Sequence, residues 1–126
     1  MTAPNPFTNL AGQQYMSLTT FRKTGQAVAT PVWFAEAAGK LYVTTNKKSG
    51  KVRRLRNNPA VTVAPSTAGG QELGPTARAR ARVLAPAEAA PGKQALLRKY
   101  GWQYRFFALL WKIERRVYII LEITPE

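Results

Sequence analysis

The 126-residue sequence contains no cysteine, no histidine and no aspartate, and its six acidic residues are all glutamate. Without those three residue types the chain cannot build a zinc site of the usual ligands, a redox dithiol, a Ser-His-Asp triad or a Cys-His dyad. A glycosidase-type carboxylate pair would have to be assembled from scattered glutamates, against the odds of so few acids. No disulfide can form, which fits a reducing, cytoplasmic setting. Long apolar runs are missing too. None approaches the roughly 20 residues needed to span a bilayer, and the opening MTAPNPFTNL has neither the basic nor the apolar region of a signal peptide.

What the sequence does have is positive charge. Nineteen Lys and Arg against six Glu give a formal net charge of +13, which calls for an anionic partner: nucleic acid, an acidic membrane surface or a polyanionic small molecule. The length predicts one domain over residues 1–126, with a real core but little room to enclose a ligand alone.

Along the chain, prolines 4 and 6 limit residues 4–13 to a turn or two of helix. Residues 15–22 (YMSLTTFR), 28–36 (VATPVWFAE) and 41–45 (LYVTT) read as three strands joined by tight turns. Pro31 places the second at a sheet edge or a bulge. Ser49 is a plausible N-cap for a helix that carries Val52 and Leu55 on one face and stops at Pro59. Residues 60–66 form a fourth strand. Residues 76–84 (TARARARVL) form a fifth, whose period of two puts Arg78, Arg80 and Arg82 on one face. Residues 86–111 are helical in composition, with Gly101 ending one helix before a second over 102–111, and residues 117–123 supply a last strand. The order βββ-α-ββ-α-β predicts a mainly β fold, a six-stranded antiparallel barrel with peripheral helices.

Four constellations can carry chemistry. In Thr44-Thr45-Asn46-Lys47-Lys48-Ser49-Gly50-Lys51 a strand delivers two hydroxyls and two lysines, then Ser-Gly opens a helix with Lys51 at its second position and Arg54 three residues on. Free N–H groups at a helix N-terminus bind phosphate, and Gly50 allows close approach. The same residues also fit a solvated basic helix with an ordinary serine cap. The Arg78/Arg80/Arg82 row, spaced about 6.8 Å apart, is either an outer barrel face in water or a track for a polyanion. The aromatic cluster Tyr100, Trp102, Tyr104, Phe106, Phe107 and Trp111 packs a helix onto the barrel or across a dimer interface, or walls a pocket for a flat ring. Interleaved Arg and aromatics also suit single-stranded nucleic acid. Finally, Thr30-Pro31-Val32-Trp33-Phe34 is a proline-interrupted strand whose unpaired backbone groups can meet a heterocycle edge, or a plain edge strand with Trp33 buried.

Taken in order, Leu18–Arg22 with Gly25, Thr30–Phe34, Leu41–Thr45, Ser49–Arg56 with Asn58-Pro59, Leu73-Gly74-Pro75 leading to Ala79-Arg80-Ala81, and Ile123-Thr124-Pro125 resemble the flavin and deazaflavin oxidoreductases of the pyridoxamine-phosphate-oxidase-like split β-barrel superfamily. The match spans about residues 15 to 125. It is most similar to the short members that use coenzyme F420, a deazaflavin with a phosphate and a polyglutamate tail. The resemblance implies a homodimer with two cofactor sites across its interface, and a hydride passed from reduced F420 to an unsaturated small molecule. Thr30, Pro31, Val32 and Trp33 would run along the ring. Thr44, Thr45, Lys47, Ser49, Gly50, Lys51 and Arg54 would hold the phosphate end. FMN is the alternative cofactor; a non-catalytic cofactor carrier and a basic nucleic-acid-binding module are the rivals of another class, the last disfavoured by the ordered match. Gly50 stands where the oxidases proper carry a phosphate-gripping arginine, so an FMN site of that kind needs Arg53 or Arg54 as substitute. Their C-terminal Arg/His substrate motif is missing, so pyridoxamine phosphate is not the expected substrate. The histidine that heme-degrading relatives use for iron is missing too, and no metal is expected. Tyr100, Tyr104 or solvent can supply a proton; no residue is singled out as catalytic.

Overall fold

The computed structural model describes residues 7–114 and 117–126. The first part of the segment 4–13 therefore lies outside the described residues; the rest contains a single 3₁₀ turn, Thr8–Leu10.

Seven strands form one antiparallel sheet: β1 (Tyr15–Phe21), β2 (Ala27–Trp33), β3 (Ala35–Ala37), β4 (Lys40–Asn46), β5 (Ala60–Ser66), β6 (Ala77–Val83) and β7 (Tyr118–Pro125). Three α-helices accompany them: α1 (Gly50–Asn57), α2 (Ala90–Tyr100) and α3 (Trp102–Ile113). The spatial order is β2-β1-β5-β6-β7-β4-β3. Its two end strands, β2 and β3, are consecutive in sequence with only Phe34 between them, so the sheet must roll up until its edges meet without zipping together. That is a split barrel.

The expected second strand over 28–36 is thus two strands, which makes seven in place of six. The cause is at Phe34, whose side chain is buried in the barrel. Its N–H donates not to a strand neighbour but to the Tyr100 hydroxyl, at 3.0 Å. That hydroxyl lies 2.7 Å from the carbonyls of Phe34 and of Gln14, to one of which it donates. Tyr100, arriving on α2, replaces the ladder at the corner. Burial pushes its phenol up to about 12, so Tyr100 serves as a peg in the fold and is a poor proton donor.

Alternation in the strands sorts the two cores. Met16, Leu18, Val43, Val61, Ala79, Leu121 and Ile123 fill the barrel interior. Outside it, Tyr42 and Ile120 on the sheet meet Leu96, Ala95 and Tyr100 of α2. Gly92 makes this close packing possible: a Cβ there would fall 2.7 Å from Ile120 Cγ2 and 2.8 Å from Tyr42. Gly101, at φ +57°, ends α2 and starts α3, in the left-handed region that glycine tolerates best.

The arginine row of β6 is exposed, as the outward face of a barrel. Arg82 is matched on that face by Glu122 at 3.0 Å and Glu88 at 3.2 Å, while Ala79 and Ala81 between the arginines point inward. Among the described residues no helix is long and apolar enough to cross a membrane, and no group of His, Cys, Asp or Glu could hold a metal ion.

Candidate functional site

β4 ends in Thr44-Thr45-Asn46, and a turn of three residues leads into α1. Asn46 Oδ1 accepts from the N–H of Lys48 at 2.9 Å, an Asx turn that aims the chain at the helix start. Ser49 caps α1 by accepting from Val52 N–H. The Ser49 and Thr45 hydroxyls lie 3.4 Å apart, so strand end and helix cap form one polar lip. Val52 and Leu55 anchor α1 to the barrel.

That lip is one end of a cavity of about 310 Å³. Thr44, Thr45, Ser49 and Lys51 line it, and Pro31, Val32 and Trp33 of the β2 edge line it from the other side. Seven of the eleven expected cofactor-binding positions therefore share one space. β2 is an end strand paired only with β1, so Pro31 removes no ladder partner on its free side.

The other four positions sit elsewhere. Thr30 faces the barrel interior with the parity of Val32 and Val28, opposite Leu18; its hydroxyl is buried and has no partner among the described residues. Lys47 is exposed in the turn. The space over Gly50 is taken by Arg54, whose Nη1 lies 2.7 Å from where a Cβ would be. Arg54 is itself held by Nε donating to Thr20 Oγ1 at 2.6 Å. The open approach expected at Gly50 is thus filled by a guanidinium, and Arg54 does not line the cavity.

Three further wall residues lie outside those eleven: Asn46 of the first constellation, Trp111 of the aromatic cluster that offered a pocket wall, and Tyr118, which the sequence did not single out. Trp111 and Tyr118 stack at 4.0 Å with a 15° interplanar angle, and Trp33 stacks on Tyr100 at 4.5 Å. Trp111 belongs to the aromatic cluster of α3, and Tyr118 pairs with Asn46 across β4 and β7. Beyond the Trp111–Tyr118 wall a second cavity of about 270 Å³ continues, lined by Thr44, Tyr104, Lys93 and Lys112.

The electrostatics of the lip are one-sided. Burial, and next the charge of Arg54, lower the pKa of Lys51. Arg54 is lowered by its own burial and by Arg22 and Arg53. Cations crowded and partly desolvated in this way are stabilised by an incoming anion.

A larger cavity of about 420 Å³ is lined by Phe34 together with Glu36, Arg98 and Lys99. Lys99 Nζ sits 3.5 Å from the Phe34 ring centroid. Burial depresses its pKa to about 8, against a smaller raising effect of Glu36. Between that value and the unfolded value near 10.5 the unfolded chain binds the extra proton, so stability gains as pH rises through this window. Unfolding in urea should therefore show stability increasing from pH 8 to 9.5 in the native chain, with a flatter profile in Lys99→Met. Tyr100 opposes the trend only above about pH 10, where the unfolded phenol ionises first.

Comparison with known proteins settles the family. The profile of the pyridoxamine 5'-phosphate oxidase family matches residues 7–125. The chain belongs to that family. A search of curated proteins finds no match. Among solved structures, the heme storage protein HutZ of Vibrio cholerae superposes with a TM-score of 0.70 at 14% identity, over 91% of this chain and 83% of that one. A FAD-binding protein of Mesorhizobium loti gives 0.64 at 17%, over 100% and 89%. A conserved hypothetical protein of Mycobacterium tuberculosis gives 0.69 at 17%, over 100% and 81%. These likenesses establish the split-barrel fold.

Proposed function

We propose that this chain is a flavin-type oxidoreductase of the split-barrel class whose cofactor is the deazaflavin F420, with FMN as the alternative, and that a second copy completes its site. The observation that carries the reading is the single cavity with two chemically distinct ends. At one end are the α1 N-terminus, the Thr45 and Ser49 hydroxyls and Lys51; at the other are Trp33, Trp111 and Tyr118.

The donor set fits a phosphorylated, ring-bearing group. The N–H groups of the first turn, the two hydroxyls and the partly desolvated Lys51 would hold the phosphate, and an anion there relieves the repulsion between Lys51 and Arg54. The indole and phenol faces offer stacking area to a flat ring. The net charge of +13 suits a tail of several carboxylates better than it suits FMN, which carries a phosphate alone. When bound and reduced, the deazaflavin supplies a hydride to an electron-poor acceptor. Pro31, Val32 and Trp33 on the free edge of β2 would flank the ring, and Trp111 and Tyr118 would offer it aromatic surface. Tyr104 lines the second cavity, but burial raises its phenol as it raises that of Tyr100, so solvent is the proton source that completes the reduction.

Heme-binding neighbours share the fold, but this sequence has no histidine to ligate iron, which favours the flavin-type reading. A 310 Å³ cavity is at the small end for a cofactor site, which supports a site shared between two copies. The direct test is anaerobic turnover with reduced deazaflavin and a panel of enones and quinones. Loss of the acceptor with reappearance of the oxidised deazaflavin band is expected. Turnover with reduced FMN alone would transfer the assignment to FMN, and binding without turnover on any acceptor would make the chain a carrier.

A further inference from the structure

The cavity leaves one large feature unexplained. Helix α3 buries none of its twelve residues, yet its sequence WQYRFFALLWKI is apolar on two opposite faces. The inward face carries Tyr104 and Trp111, the latter stacked on Tyr118. The outward face carries Trp102, Phe106, Leu109 and Ile113, exposed at 74, 52, 57 and 68%. At 100° per residue these four fall within about 60° of one another and run the length of the helix. An apolar stripe of this size left in water needs something to cover it.

The charges beside the stripe say what. Arg105 and Lys112 lie along one shoulder, α3 contains no acid, and Arg98 and Lys99 end the helix before it. A two-fold pairing of antiparallel α3 helices would set the Arg105/Lys112 row of one copy against the same row of the other, like charge on like. An anionic lipid surface has no such conflict. It takes the stripe into the acyl boundary while Arg105 and Lys112 reach up to the headgroups, and Trp102 sits at the interface depth that suits an indole.

We infer that α3 is a membrane-surface anchor: its Trp102/Phe106/Leu109/Ile113 face inserts in the plane of an anionic bilayer, with Arg105 and Lys112 on the headgroups. This inference is independent of which cofactor the cavity holds. It is tested by sedimentation of the full chain with vesicles of phosphatidylcholine, alone or mixed with phosphatidylglycerol. Binding at least ten-fold tighter to the mixed vesicles is expected, weakening with salt. The double variant Trp102→Ser with Leu109→Ser should lose at least ten-fold of that affinity, as should Arg105→Glu with Lys112→Glu, each retaining wild-type thermal unfolding because all four side chains are outside the core. Equal binding to neutral and anionic vesicles would overturn the inference, and so would undiminished binding by the stripe variant. A wild-type dimer that the stripe variant splits into monomers would overturn it as well, by showing that a second copy covers α3.

Discussion

Lys51→Ala should weaken deazaflavin binding by ten-fold or more, about 1.4 kcal/mol, and Lys51→Glu by a hundred-fold or more, about 2.8 kcal/mol. Lys51 lines the cavity beside the start of α1, where, on the proposed reading, its ammonium and the first-turn N–H groups would act on the same anion. Alanine removes a point charge; glutamate adds repulsion at the site where the phosphate must sit. Isothermal titration at low salt is the measurement, since screening would mask part of the difference. Because Lys51 contributes to no buried ion pair among those described, neither variant should lower stability, and Lys51→Ala should if anything raise it by relieving repulsion from Arg54.

Phe34→Ala should cost about 3–5 kcal/mol of unfolding free energy, read from urea denaturation. Phe34 is 2% exposed at the single residue that joins the two edge strands, and its ring also lies beneath the Lys99 ammonium. Truncation leaves a void where the barrel closes, and the backbone there cannot collapse freely because its N–H is held by the Tyr100 hydroxyl. A loss below about 1 kcal/mol would mean that the corner repacks and that Phe34 does not pin the barrel.

The corner also shows where sequence reading stops. VATPVWFAE has the composition of one unbroken strand, and nothing local marks Phe34 as a break. The group that breaks it, the Tyr100 hydroxyl, comes from 66 residues away. By contrast β6 was legible because Ala/Arg alternation is a local signal with one physical meaning, and α1 because its cap, its apolar pair and its terminating proline are contiguous. The same distinction runs through the site. Thr44, Thr45, Ser49 and Lys51 come together because a strand end and the next helix start are neighbours in the chain. Tyr118 could reach the cavity only through the pairing of β7 with β4. Thr30 belongs to one run with Trp33, but the two-residue period of a strand turns it inward with Val32, and of that inward pair only Val32 lines the cavity. The α3 helix was visible in composition; that its second apolar face would be left uncovered depends on where α2 and the barrel lie.

The assignment of the cavity to a phosphorylated deazaflavin is tested most directly by titrating the purified chain with F420 and with FMN in parallel, following cofactor fluorescence. Saturable binding of F420 at concentrations at least ten-fold below those needed for FMN is expected, with the preference shrinking as salt is raised. Binding of neither cofactor, or F420 affinity indifferent to both salt and Lys51, would contradict it.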